Sequence, residues 1–151
     1  MPYIQPSEAT SPQPHLNAQA CVINCIDYRI QEPFYHYLEK HHLLGKTDII
    51  EVAGSSRDLV KPLKPQDQQE LLQNIQISVK LHSPKKLLIF DHQDCGGYAQ
   101  DQTIPQGLTL DQDKQQHSQY LLQAKNLLKN LFPNLEIHTY YITLNHEICL
   151  L

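Results

Sequence analysis

Lys86-Leu87-Leu88-Ile89-Phe90-Asp91-His92-Gln93-Asp94-Cys95-Gly96-Gly97 joins two kinds of sequence. Its first part, Lys86 to Phe90, predicts a strand, and the unbroken run Leu87 to Phe90 predicts burial on both faces, as in a parallel sheet. Its second part, from Asp91 onward, brings a carboxylate, an imidazole, a thiol and two glycines where that strand should end. Upstream, Ala20 to Cys25 is a second short apolar run and reads as another buried strand, followed by Cys25-Ile26-Asp27-Tyr28-Arg29. Asp48 to Val52 predicts a third, ending at Ala53-Gly54-Ser55-Ser56. Leu135 to Thr143 predicts a fourth, and beyond Asn145 the run Glu147 to Leu151 predicts a short final strand.

Helical spacing fills the intervals. Phe34, Tyr37, Leu38 and His41 recur at helical spacing, with Gly45 as a stop. Gln66 to His82 places Leu71, Ile75 and Val79 four apart, with Leu72 widening the stripe. Asp113 to Leu131 sets Tyr120, Ala124, Leu127, Leu128 and Leu131 on one side, and Pro133 ends it. Lys61 to Pro65 reads as a connection and residues 96–112 as loop. Strands alternating with helices predict an α/β fold: a central, mostly parallel β-sheet flanked by helices. In such sheets ligands bind at the carboxyl ends of strands. That rule selects the segments beginning at Cys25, Gly54 and Asp91.

The chain has 151 residues, a length for one domain. Residues 1–18 hold four prolines among Ser, Thr and Gln and read as an extended or mobile N-terminal arm; 19–151 read as a single domain. Twelve basic against sixteen acidic side chains give a net charge of −4, which argues against a nucleic-acid partner. No apolar run approaches the ~20 residues needed to span a bilayer, so no membrane partner is expected. No charged-then-apolar leader is visible, so a cytoplasmic location is expected. The cysteines are Cys21, Cys25, Cys95 and Cys149. In a cytosolic chain of this size they are not expected to form a disulfide framework.

Cys25, His92 and Cys95 all fall at predicted strand ends. Two thiolates and an imidazole suit tetrahedral zinc, with ligand distances of about 2.0–2.3 Å, and three ligands leave a fourth position open. If the chain stays extended after Cys25, then Asp27 and Arg29 leave on the same face and can pair beside the metal. Asp27 can then orient a metal-bound water, with Arg29 keeping it ionised; alternatively Asp27 is a fourth ligand that closes the site. Cys21, mid-strand, and Cys149, in the last apolar run, read as core. Asp94 reads as a loop cap or an acceptor beside the ligands. Gly96 and Gly97 let the backbone turn close to the metal and can offer N–H groups to an anion. Of the pair His41-His42, one is expected on the apolar face and one in solvent. His15, His36, His82, His117, His138 and His146 have no partner motif.

The order Cys25-Ile-Asp27-Tyr-Arg29, then His92-Gln-Asp-Cys95, resembles the signature of the β-class carbonic anhydrases. Ala53-Gly54 is similar to the Ala-Gly of that family's Arg-Asn-Ala-Gly loop, and the likeness covers about residues 20–151. The resemblance implies a Zn2+ enzyme for reversible hydration of carbon dioxide to bicarbonate, in which the metal lowers the pKa of its bound water. It implies Cys25, His92 and Cys95 as ligands and Asp27 with Arg29 as a gating dyad. It also implies substrate or anion contacts from Gly54, Gly96, Gly97 and Tyr28, and a homodimer or larger even oligomer. Three features depart from the family. Tyr28 stands where a small residue is usual, Glu51-Val52 replaces Arg-Asn, and the proline-rich start replaces an N-terminal helix that clasps a second subunit. These departures keep two alternatives in view: action on another small electrophile such as a sulfur analogue of CO2, and a non-catalytic zinc scaffold closed by Asp27.

Overall fold

Strands β1 (Ala20–Asn24), β2 (Thr47–Glu51), β3 (Lys86–His92), β4 (Glu136–Ile142) and β5 (Ile148–Leu150) form one sheet in the order β2-β1-β3-β4-β5. This computed structural model describes residues 17–151. β1, β2, β3 and β4 are mutually parallel, and only β5 runs antiparallel, on β4. The expected α/β architecture is what the chain adopts. Most of the expected N-terminal arm lies outside the described residues; within them, Ala18 N–H already donates to His82 O at 2.8 Å.

The central strands are buried as their apolar runs predict. All five residues of β1 are buried, and six of seven in β3. Edge strand β2 keeps all five residues half-buried or exposed. Alternation divides the sheet into two faces. Cys21 and Ile23 of β1 with Leu87 and Ile89 of β3 pack against Leu71 and Ile75 of α3 (Pro65–His82) and against Leu121, Ala124 and Leu128 of α5 (Leu110–Leu131). Ala20, Val22, Leu88 and Phe90 face the other way, onto Phe34 and Leu38 of α1 (Gln31–Lys40).

Several local expectations change. Residues 96–112 are not all loop. Gly96–Ala99 form a short helix, α4, and α5 begins at Leu110 because Thr109 and Gln112 make a capping box there. A one-turn helix, α2 (Arg57–Val60), follows the Ala-Gly-Ser-Ser loop. The buried stripe of α5 is Asp113, His117, Leu121, Ala124 and Leu128; Tyr120 is only half-buried, and Leu131 is exposed at the helix end. His41 and His42 are both exposed, since α1 stops at Lys40; His41 stacks on Tyr37. Cys149, on the last strand, is half-buried rather than core.

Candidate metal centre

Register sets the centre's floor. Ile23 pairs with Ile89, so Cys25, two residues on, stands level with Asp91, just before His92. β3 then ends and the chain turns at Asp94, whose φ of +57° is left-handed, bringing Cys95 back to the strand end. Cys25, His92 and Cys95, all buried, present ligand atoms within 4.8 Å of one another. Cys25 Sγ and Cys95 Sγ are 3.9 Å apart. His92 Nδ1–H donates to Gln93 O at 2.8 Å, which fixes the tautomer and turns Nε2 inward. That Nε2 is buried and has no hydrogen-bond partner. An orphaned imidazole nitrogen facing two thiols is the donor set a soft divalent metal takes, and the group fits zinc.

The two thiols, 3.9 Å apart, pull each other's pKa in opposite directions. Cys25 is lowered below the usual thiol range, first because the Cys95 thiol donates to it, with His92 and the Gly54 N–H adding and burial opposing. Cys95 is raised in turn by the Cys25 sulfur and by burial. A divalent cation would offset both thiolates. For His92, burial lowers the pKa, but the nearby Cys25 sulfur, the Gln93 carbonyl and the Asp27 carboxylate together outweigh it and leave it raised.

The expectation of an extended chain after Cys25 does not hold. Tyr28–Ile30 form a 3-10 turn capped by Asp27, which accepts from Arg29 N–H at 2.9 Å. The turn still brings the pair together. Arg29 Nη2 donates to Asp27 Oδ2 at 2.7 Å and Nε to Oδ1 at 3.0 Å, a two-pronged contact. Arg29 also reaches Asp94, through Nη1 to Oδ2 at 3.2 Å and Nη2 to the carbonyl at 3.0 Å. Hydrogen bonds from Arg29 hold Asp27 below the usual carboxylate range, and Asp27 Oδ2 lies 3.8 Å from His92 Nε2. Gln31 pins the approach by donating to the carbonyls of Cys25 (2.9 Å) and Asp27 (3.2 Å).

Gly54 donates its N–H to Cys25 Sγ at 3.4 Å, so this amide serves the sulfur. Gly97 packs on the same loop, where a Cβ would stand 2.3 Å from Gly54 N; no other residue fits. Gly96 is looser, with Gln106 Nε2 3.9 Å from where a Cβ would be. Tyr28 points to solvent, 84% exposed, and does not crowd the thiols. Two clefts share Tyr37 and His41, one reaching His146 and Ile148 and the other Lys86, His138 and Tyr140, and neither is lined by the Cys-His-Cys group.

A buried polar cluster escaped the sequence reading. Asp91 accepts from Ser56 N–H (3.2 Å), Ser56 Oγ (2.8 Å) and His117 Nδ1 (2.9 Å). Tyr98 OH bonds Ser56 Oγ at 2.6 Å, and Tyr141 OH donates to Asp113. Two signals pointed to it. Asp91 interrupts a strand buried on both faces, so it needs partners. Asp113 and His117 lie on the same helical stripe as Leu121 and Leu128.

The family model described as putative carbonic anhydrase matches residues 16–151. An uncharacterized protein of Rickettsia bellii (strain RML369-C) is 24% identical over 131 residues, 87% of this chain and 80% of that protein. One of two tetrameric β-carbonic anhydrases of Sordaria macrospora superposes with TM-score 0.61 at 14% identity, over 90% of this chain and 81% of that one. The apo form of a carbon disulfide hydrolase superposes with TM-score 0.53 at 14% identity, over 90% of this chain and 79% of that one.

Proposed function

The chain belongs to the putative carbonic anhydrase family, and from that membership we propose that it is a zinc enzyme hydrating carbon dioxide reversibly to bicarbonate. The observation that carries the reading is the buried convergence of Cys25, His92 and Cys95, with His92 Nε2 left without a partner. These three residues would hold the metal, which when bound supplies Lewis-acid activation of water. Asp27 is the acceptor beside it. Both its oxygens are engaged by Arg29, which keeps the carboxylate ionised at neutral pH and leaves it close to His92. That anchoring supports an open fourth position over a centre closed by Asp27. Gly54 stabilises the Cys25 thiolate, while Gly96 and Gly97 line the turn where an anionic product would sit.

Stopped-flow hydration of CO2 at pH 7 to 9 on zinc-loaded protein tests the reading. The expected result is a rate well above buffer that disappears when zinc is chelated. Asp27→Asn should keep its zinc and lose about 10–100-fold in rate. Full activity in that variant would remove Asp27 from the mechanism.

A second reading keeps the zinc and changes the electrophile. The likeness to a carbon disulfide hydrolase and the Glu51-Val52 replacement favour it. Assaying CS2 and COS beside CO2 on one preparation separates the two. We further propose an even oligomer, since Ile26 and Tyr28 flank Asp27 at 60% and 84% exposure and would be covered by a second copy. Sedimentation equilibrium giving a monomer would count against that assembly.

A further inference from the structure

The geometry points to His117 as a positioning residue: it sits between two buried carboxylates, hydrogen-bonded to Asp91 and packed 3.6 Å from Asp113, and so couples the loop that serves Cys25 to the turn that anchors Arg29 and Asp27. The inference rests on the metal reading of Cys25, His92 and Cys95, and does not depend on the substrate.

Strand pairing between β1 and β2 stops at Asn24 and Glu51. Beyond those ends, side chains fix where the site loops stand. One branch starts at His117 Nδ1, 2.9 Å from Asp91 Oδ2. A carboxylate only accepts, so Nδ1 carries the proton. Asp91 in turn takes both the N–H and the hydroxyl of Ser56, two residues after Gly54, whose N–H reaches Cys25 Sγ. The other branch starts at Nε2, which lies 3.6 Å from Asp113 Oδ1 and is otherwise unpartnered. Asp113 Oδ2 accepts the Asp94 N–H at 3.1 Å. That bond braces Asp94 in its left-handed conformation. So held, Asp94 offers Arg29 both its carboxylate and its carbonyl.

His117 is wholly buried, as are Asp91 and Asp113. Removing the imidazole would take one of three donors from Asp91, leaving it the N–H and hydroxyl of Ser56, and would open a gap beside Asp113. The placement of the imidazole on the strand-end side, between the two loops, is what ties it to the centre.

The test divides the ring into its two edges. His117→Asn retains a donor near the Nδ1 position and loses the edge toward Asp113. His117→Gln retains a donor near Nε2 and loses the bond to Asp91. Zinc affinity, by competition with a chromophoric chelator, reports the Cys25 branch. Bicarbonate titration of the cobalt(II)-substituted protein, followed in its visible absorption, reports the Asp27 branch. His117→Gln should lose zinc affinity by about 10–100-fold. His117→Asn should keep parental zinc affinity and lose the bicarbonate response. Two folded variants with lower Tm but parental values of both readouts would overturn the proposal, as would parallel loss of both readouts in both variants. If either variant fails to fold, Asp113→Asn decides, because an amide cannot accept on both sides; it should lose the bicarbonate response at parental zinc affinity, and a parental response overturns the proposal. A parent chain that binds neither metal would remove the metal reading itself, a separate failure visible before any variant is made.

Discussion

Cys21 and Cys25 lie four residues apart along one strand and its continuation, and they behave as opposites. Both are buried, at 0% and 3% exposure. Burial raises Cys21 to about 11, with Ser78 and Asp48 as its polar surroundings. Cys25 moves the other way, because a second thiol, an imidazole and the Gly54 amide face its sulfur. The two are alike in burial and differ in what lies opposite. At Cys21 the neighbouring strands continue and supply side chains of the core. At Cys25 the strands have ended, and loops can bring donors to the sulfur.

The strongest test of that contrast is metal content. Cys25→Ser should take zinc from about one per chain to almost none, because a three-residue donor set loses a thiolate. Cys21→Ala should leave zinc content unchanged and lower stability by roughly 1–2 kcal/mol, the cost of a small core deletion. Equal zinc loss in both, by elemental analysis, would erase the distinction. A smaller effect is expected in thiol reactivity of metal-stripped protein at pH 6. Peptide mapping after iodoacetamide should find Cys25 modified in the native state and Cys21 only after unfolding. Early labelling of Cys21 would show that the sheet centre opens more readily than its burial implies.

The smallest effect concerns acid. Asp27 has a folded pKa below its ordinary value of 3.8, so its pairing with Arg29 stabilises the fold above that value. The contribution is lost as pH falls through the lowered folded pKa. The Tm difference between parent and Asp27→Asn should therefore be steady from pH 7 to about 5 and shrink in more acid solution. A difference that grows toward low pH would reverse the sign of the coupling.

Much of this centre was legible in the chain. Apolar runs located the four parallel strands, and the strand-end rule led to Cys25, His92 and Cys95, which the fold brings together. The Asp27–Arg29 pair also forms, though through a 3-10 turn instead of extended chain. Short-range signals missed α2 and α4, since one-turn helices carry too few residues for a periodic pattern. His117 looked unpartnered because its partners, Asp91 and the loop beyond it, are remote in sequence.

The sequence by itself determined the class of sheet, the residues at its strand ends and the kind of donor they offer. Those follow from periodicity and side-chain chemistry, which are local. Tertiary structure decided which donor points where. It turned His92 Nε2 inward by satisfying Nδ1 on the Gln93 carbonyl, set Gly54 against Cys25, and placed His117 between Asp91 and Asp113. Each of these depends on hydrogen bonds made beyond the ends of the strands or between elements far apart in the chain. There the pairing of loops is set by buried polar groups finding partners, and no periodic pattern records it.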